Sequence, residues 1–134
     1  IQFIFYKESM NCEIFDKNES LIDFFINSLQ LMLLDPEYPL INQGEVGDSL
    51  YIVKSGECQV FIKDPIEKKD IYVRSLRNSQ FFGEFSLLTM QPRSASVRPK
   101  NYAIVGQVQR EKFDEMTFMF PELISQFKNH YFSY

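Results

Sequence analysis

Between residues 31 and 109 the chain alternates short apolar runs with groups of turn-forming residues. The runs are LMLL, SLYIVK, ECQVFIK, DIYVRSL, SASVRPK and YAIVGQVQ, and the segments between them include DPEYP, QGEVGD, KSGE and KDPIEKKD. Short strands about 8–12 residues apart, with Gly, Pro, Asn and Asp between them, are typical of β-barrels and jelly rolls. Gly44, Gly47 and Gly56 stand where tight turns need a positive φ. The pattern predicts an all-β barrel over residues 31–109.

The segment before the barrel has helical patterning. In SLIDFFINSLQ (20–30), Leu21, Phe24 and Phe25 recur at helical spacing, and Ser20 is the expected N-cap. This segment is therefore predicted to form a helix that leads into the first strand.

The chain is expected to form one domain in three parts, because 134 residues suit a single hydrophobic core. The parts are an N-terminal helical part (1–30), the barrel (31–109) and two C-terminal helices (110–134). Pro121 suits the first turn of the second of these helices.

The composition argues against several classes of function. The net charge is −4 and no basic stripe is present, so nucleic acid is not an expected partner. No apolar run approaches the roughly 18 residues of a membrane span, so this domain is not expected to insert into a bilayer. Cys12 and Cys58 lack metal-site spacing, and His130 is the only histidine. No metal site, catalytic residue or enzymatic activity is therefore expected.

The stretch FFGEFSLLTMQPRSASV (81–97) places two fixed charges, Glu84 and Arg93, in an otherwise apolar and small-residue run. Gly83 followed by an apolar turn predicts a short helix, whose free N–H groups suit a phosphate. The Arg93 guanidinium can fold back over that helix start and pair with phosphate oxygens. An ionised Glu84 accepts hydrogen bonds and suits a ribose hydroxyl. These features predict a site for a nucleotide with one phosphate, and a structural Glu84–Arg93 salt bridge is the alternative.

The same stretch resembles the phosphate-binding cassette of cyclic nucleotide-binding domains. The residues that carry the resemblance are FGEFSLL (82–88) and RSASV (93–97). The segment INQGEVGDSLYIVKSGECQVFI (41–62) is also similar to the family's second to fourth strands. The resemblance implies a mainly β fold, an eight-stranded jelly-roll barrel with N-terminal helices and two C-terminal helices. It implies cAMP or cGMP as the ligand and no other cofactor. The chain departs from the family at Glu37, where many members have glycine.

The resemblance also implies roles for individual cassette residues. Arg93 matches the phosphate-binding arginine, and Glu84 matches the acid that binds the ribose 2′-hydroxyl. Gly83 matches the backbone amide near the sugar. Ser86 and Ser94 match positions whose backbone N–H groups help to hold the phosphate.

Four more residues are expected at the site. Phe85 and Ala95 belong to the cassette, and Leu76 and Tyr134 are the expected base contacts. The resemblance implies the role of Tyr134, because in similar channels the residues that cap the base lie about four helical turns beyond the corresponding proline. Tyr134 is thirteen residues beyond Pro121, which is roughly 20 Å of helix at a rise of about 1.5 Å per residue. That length would bring it across the mouth of the barrel.

The segment SLLTMQPRSASVRPKNYAIVGQVQREKFDEM (86–116) is similar to cyclic nucleotide-gated and hyperpolarisation-activated channels. This implies a cytoplasmic regulatory domain of a longer, homo-oligomeric channel in a membrane, with the neighbouring channel segments of the same chain as partners. Ligand occupancy would be transmitted by movement of the C-terminal helices. The alternatives are the regulatory domain of a cyclic nucleotide-dependent protein kinase or exchange factor, and an interaction domain that binds no ligand.

Overall fold

The computed structural model of the chain describes residues 18–125 and residue 127. In chain order its elements are α1 (Glu19–Ser28), β1 (Gln30–Leu34), β2 (Ser49–Ser55), β3 (Cys58–Lys63), β4 (Asp70–Leu76), β5 (Phe81–Phe82), α2 (Glu84–Thr89), β6 (Ser96–Pro99), β7 (Ala103–Gln109) and α3 (Arg110–Met119). The strands pair antiparallel into a sheet of order β1-β7-β2-β5 and a second of order β4-β3-β6. The predicted mainly β fold with flanking helices is confirmed.

The described residues contain seven strands, one fewer than the eight predicted. The segment that resembles the family's second strand pairs only through isolated bridges, from Ile41 to Val97 and from Val46 to Pro92. Its turn residues, QGEVGD, do not sustain a regular ladder. This segment therefore runs as a loop, and it lies directly against the residues that follow α2.

Helix α1 begins earlier than predicted. Asn18, and not Ser20, is the N-cap, and its Oδ1 accepts a hydrogen bond from the Leu21 N–H at 3.1 Å. Asn and Ser cap helices about equally well, so capping preference does not choose between them. The helix ends at Ser28, and β1 begins at Gln30, one residue before the predicted start of the barrel.

Parts of both predicted terminal regions lie outside the described residues. These parts are residues 1–17 and, in the second predicted C-terminal helix, residues 126 and 128–134. Residues 122–125, just after Pro121, are helical. No helix in the described part of the chain is long and apolar enough to cross a membrane.

Two hydrophobic clusters hold the fold together. One lies between the two sheets and includes Val53 and Val105, which are both fully buried. The other joins α1 and α3 to the four-stranded sheet through Phe25, Phe81 and Phe127. The Phe81 ring meets the Phe25 and Phe127 rings edge-on, at centroid distances of 5.5 and 6.0 Å. Because β5 leads directly into α2, this second cluster connects the cassette to the flanking helices.

The turn glycines divide into two kinds. Gly44 and Gly56 have φ of 92° and 86°, as the sequence predicts. Gly47 does not have a positive φ, so the prediction for this residue is wrong. Glu37, where glycine is usual in the family, has a φ of 61°, so a non-glycine residue occupies the left-handed turn conformation here.

Candidate functional site

The cassette starts with a turn that only glycine fits. Gly83 links β5 to α2 with a φ of 91°, in the left-handed region. A Cβ on this residue would lie 2.8 Å from Nη1 of Arg93 and 3.0 Å from the Ser49 carbonyl oxygen. The missing side chain therefore allows both the turn and the close approach of Arg93 to the start of α2.

The Arg93 side chain is buried, with 8% of its surface exposed. Its Nη1 donates to the Gly83 carbonyl at 2.7 Å, and its Nη2 donates to the Ser49 carbonyl at 2.9 Å. Burial lowers the pKa of the guanidinium, and the nearby Tyr51, Asp48 and Glu84 act in the opposite direction. A guanidinium has five N–H groups, so these two bonds leave others available for an anion.

The backbone of Arg93 is fixed by the loop that replaces the predicted strand. The Arg93 N–H donates to the Glu45 carbonyl at 2.7 Å, and the Gly44 N–H donates to the Arg93 carbonyl at 2.8 Å. The guanidinium lies over Gly47, where a Cβ would overlap its Cζ, Nε and Nη2 atoms. Gly47 is therefore needed for space and not for backbone conformation.

Glu84, the first residue of α2, is almost completely buried, with 4% of its surface exposed. Desolvation by burial raises the pKa of this carboxyl, and its own backbone N–H, Arg74 and Arg93 act against that rise. In the described residues Arg93 bonds two carbonyls and does not form an ion pair with Glu84. The salt-bridge alternative is therefore not what holds these two residues in place.

The cassette opens onto a cavity with a volume of about 150 Å³. This is smaller than the roughly 300–1,000 Å³ of typical small-molecule pockets, so these walls enclose only part of a nucleotide-sized ligand. The described residues contain no group of three or more His, Cys, Asp or Glu arranged to hold a metal. The lining residues are Ile41, Val60, Arg74, Leu76, Phe81, Phe82, Gly83, Glu84, Phe85, Ser86, Arg93, Ser94, Ala95 and Val97.

The cavity brings together nearly all of the residues predicted from the sequence. The seven predicted cassette residues line it, and so does Leu76, the buried last residue of β4. Tyr134, the second predicted base contact, lies outside the described residues. The contacts to ligand predicted for these residues stay predictions.

Six lining residues were not predicted from the sequence, and Arg74 is the one among them that carries a charge. It lies two positions before Leu76 on β4, and residues two apart on a strand face the same side. That alternation was the available signal. Its positive charge favours the ionised form of Glu84, so the lining of the cavity includes a second cation besides Arg93.

Comparison with known proteins agrees with this geometry. The family model described as "Cyclic nucleotide-binding domain" matches residues 32–118. A cGMP-dependent protein kinase from Toxoplasma gondii is 33% identical over 90 residues, which is 67% of this chain and 8% of the kinase. The cAMP-activated transcriptional regulator CRP from Salmonella typhimurium is 28% identical over 109 residues, which is 81% of this chain and 51% of that protein.

A solved structure shares the fold. It is the regulatory domain of Toxoplasma gondii PKA in complex with cAMP, with a TM-score of 0.83 and 21% identity, and the match covers 96% of this chain and 48% of that one. The relatives named here are kinase proteins and a transcriptional regulator, so they do not support the channel domain that the sequence predicted. The match of the family model over residues 32–118 shows that the chain belongs to the cyclic nucleotide-binding domain family.

Proposed function

We propose that this domain binds a cyclic nucleotide, cAMP or cGMP, with its cassette and regulates a protein kinase activity in response. The observation that carries the proposal is the buried Arg93 guanidinium, held by two backbone carbonyls beside the cavity that Glu84 lines. A preoriented cation and a buried acceptor on one small cavity suit a phosphate joined to a ribose.

The two charges divide the work of binding. The remaining N–H groups of Arg93 donate hydrogen bonds to the cyclic phosphate. The phosphate oxygens thereby take the place of the water molecules that the guanidinium lost on burial. Ionised Glu84 accepts a hydrogen bond from the ribose 2′-hydroxyl. Glu84 repels a phosphate, so Arg93 and Glu84 together fix the orientation of the bound nucleotide.

Ligand occupancy can reach the C-terminal helices through Arg110, the first residue of α3. Its N–H donates to the Asp48 carbonyl at 2.7 Å, and its guanidinium contacts the Leu87 carbonyl at 3.4 Å and the Gly47 carbonyl at 3.3 Å. Helix α3 is thus bonded both to the cassette helix and to the loop under Arg93. A ligand that prefers one arrangement of the cassette will shift α3 only by as much as that preference allows.

The kinase context is supported by the relatives and not by the site. The chain spans 8% of the Toxoplasma kinase it resembles, so the activity that it regulates belongs to sequence beyond the matched segment. The domain itself is proposed to be a regulator without catalytic residues. A cytoplasmic location and a homo-oligomeric parent stay predictions.

Titration calorimetry with cAMP and cGMP tests the binding. The wild-type domain is expected to bind at least one of them, and Arg93→Ala is expected to lose about 2–5 kcal/mol, as for other truncated partners of a desolvated charge pair. Arg98→Ala is the matched control, because Arg98 pairs with Asp70 at 3.0 Å and covers the Phe61 ring outside the cavity. Absence of heat with both nucleotides would favour the interaction domain without ligand.

The kinase role is tested in the full protein that contains this domain. Phosphotransfer, by the protein itself or by an added catalytic subunit, is expected to change on addition of the nucleotide that binds. The Arg93→Ala protein should show the same basal rate and no response. A nucleotide-dependent ionic current without a change in phosphotransfer would support the channel hypothesis instead.

A further inference from the structure

The Ser86 hydroxyl joins two loops that are distant in the sequence. Ser86 is the third residue of α2, and only 1% of its surface is exposed. Its Oγ accepts a hydrogen bond from the Gly47 N–H at 3.0 Å and donates one to the Gln91 carbonyl at 2.8 Å. Both bonds use the side chain, whereas the role expected from the sequence used only the backbone N–H.

These two loops are the ones that hold Arg93. The segment 44–49 bonds the Arg93 backbone at Gly44 and Glu45 and the guanidinium at Ser49, and Gly47 forms the floor beneath it. Gln91 lies two residues before Arg93 in the loop that follows α2. The Ser86 hydroxyl therefore links the cassette helix directly to both segments that support the arginine.

We propose that Ser86 is a positioning residue, whose hydroxyl keeps Arg93 oriented for the phosphate by tying α2 to Gly47 and Gln91. This rests on the proposed function, since it concerns the same phosphate site. Without the hydroxyl, a buried N–H and a carbonyl lose their partner, and such groups are costly to leave unpaired. The segment 44–49 then shifts to find water, and the Arg93 guanidinium shifts with it.

The tie itself is tested without ligand, by amide hydrogen exchange of Gly47 measured by NMR. Ser86→Ala is expected to speed exchange of the Gly47 amide by about 5-fold or more, because its hydrogen-bond partner is removed. Ser28→Ala is the matched control, since among the residues that the structure describes the Ser28 hydroxyl donates only to the Phe24 carbonyl, within α1. It should leave Gly47 exchange unchanged.

The positioning role is tested by a double-mutant cycle with Arg93→Lys, read as the dissociation constant for the nucleotide that the wild type binds. Ser86→Ala is expected to weaken binding about 5- to 30-fold in the wild-type background and less than about 2-fold in the Arg93→Lys background. A lysine ammonium lacks the planar geometry of the guanidinium, so its contact with phosphate does not depend on an orientation that Ser86 maintains. Urea denaturation gives the folded fraction of each variant, so that a loss of folded protein is not taken for a loss of affinity.

The outcomes separate the two proposals. Unchanged Gly47 exchange in Ser86→Ala refutes the tie. An equal loss of affinity in both backgrounds shows that the hydroxyl has only a structural role and overturns the positioning proposal. If the wild type binds neither cAMP nor cGMP, the proposed function fails, and the positioning role fails with it, whatever the exchange of Gly47 shows.

Discussion

Replacing Gly47 with alanine is expected to remove most of the affinity for cyclic nucleotide without touching a ligand contact. A Cβ at this position overlaps the Cζ, Nε and Nη2 atoms of Arg93, so the guanidinium must leave its place between Ser49 and Gly83. Gly47 has no positive φ that alanine would strain. The effect is therefore one of displacement and not of backbone conformation.

The magnitude follows from the contacts that the guanidinium gives up. They are charge-assisted hydrogen bonds of 2.9 Å to Ser49 and 2.7 Å to Gly83. Each is worth about 1.5–3 kcal/mol, but the displaced guanidinium regains water, so we expect the free energy of unfolding to fall by about 1–3 kcal/mol. Binding should weaken by about 2–4 kcal/mol, which is roughly 30-fold to 1,000-fold in Kd.

The assay is calorimetric titration with cAMP and cGMP, combined with urea denaturation of the same samples. Gly56→Ala is the control, because Gly56 has a φ of 86° and a Cβ there would lie 2.6 Å from the Tyr102 carbonyl oxygen, away from the cavity. It should destabilise the fold by a similar amount and leave Kd within about 2-fold. Wild-type affinity in Gly47→Ala would refute the reasoning, and so would equal losses of affinity in the two variants.

Four further predictions concern single residues. Glu84→Ala should weaken cAMP binding by about 1.5–3 kcal/mol and leave binding of 2′-deoxy-cAMP within about 2-fold; equal losses in calorimetry would show that Glu84 does not contact the ribose hydroxyl. Burial raises the pKa of the Glu84 carboxyl in the folded protein, so the folded state binds more protons at this group than the unfolded state does. The contribution of Glu84 to stability is therefore lost as the pH rises from its unfolded pKa through its folded pKa. The free energy of unfolding of the wild type, relative to Glu84→Gln, should therefore fall over that window in urea denaturation, and a pH-independent difference would contradict the assignment. Glu37→Gly should raise the free energy of unfolding by about 0.5–1 kcal/mol, since glycine adopts the φ of 61° without steric cost; an unchanged urea midpoint would show that the turn is not strained. Ser94→Ala should lower affinity for cGMP more than for cAMP, because the exposed hydroxyl at the cavity can bond the guanine 2-amino group, and an unchanged ratio of the two dissociation constants would exclude that contact.

Local patterns in the sequence determined the class of fold and most of the site. The run DIYVRSL forms β4, Asp70–Leu76, as predicted from a short strand-forming run between turn-forming segments. The cassette glycine and the two charges identified the position of the cavity. These features are predictable because a strand's period, a turn residue's φ and a short motif all act over a few neighbouring residues.

Tertiary contacts decided the features that connect distant parts of the chain. The Ser49 carbonyl that holds Arg93 is 44 residues away from it, and the Gly47 N–H that binds Ser86 is 39 residues away. No local pattern distinguishes Gly47, which makes room for a side chain, from Gly44, which allows a turn. The difference arises because the Arg93 guanidinium, from a distant segment, lies against Gly47 and not against Gly44. This approach depends on the packing of the whole domain.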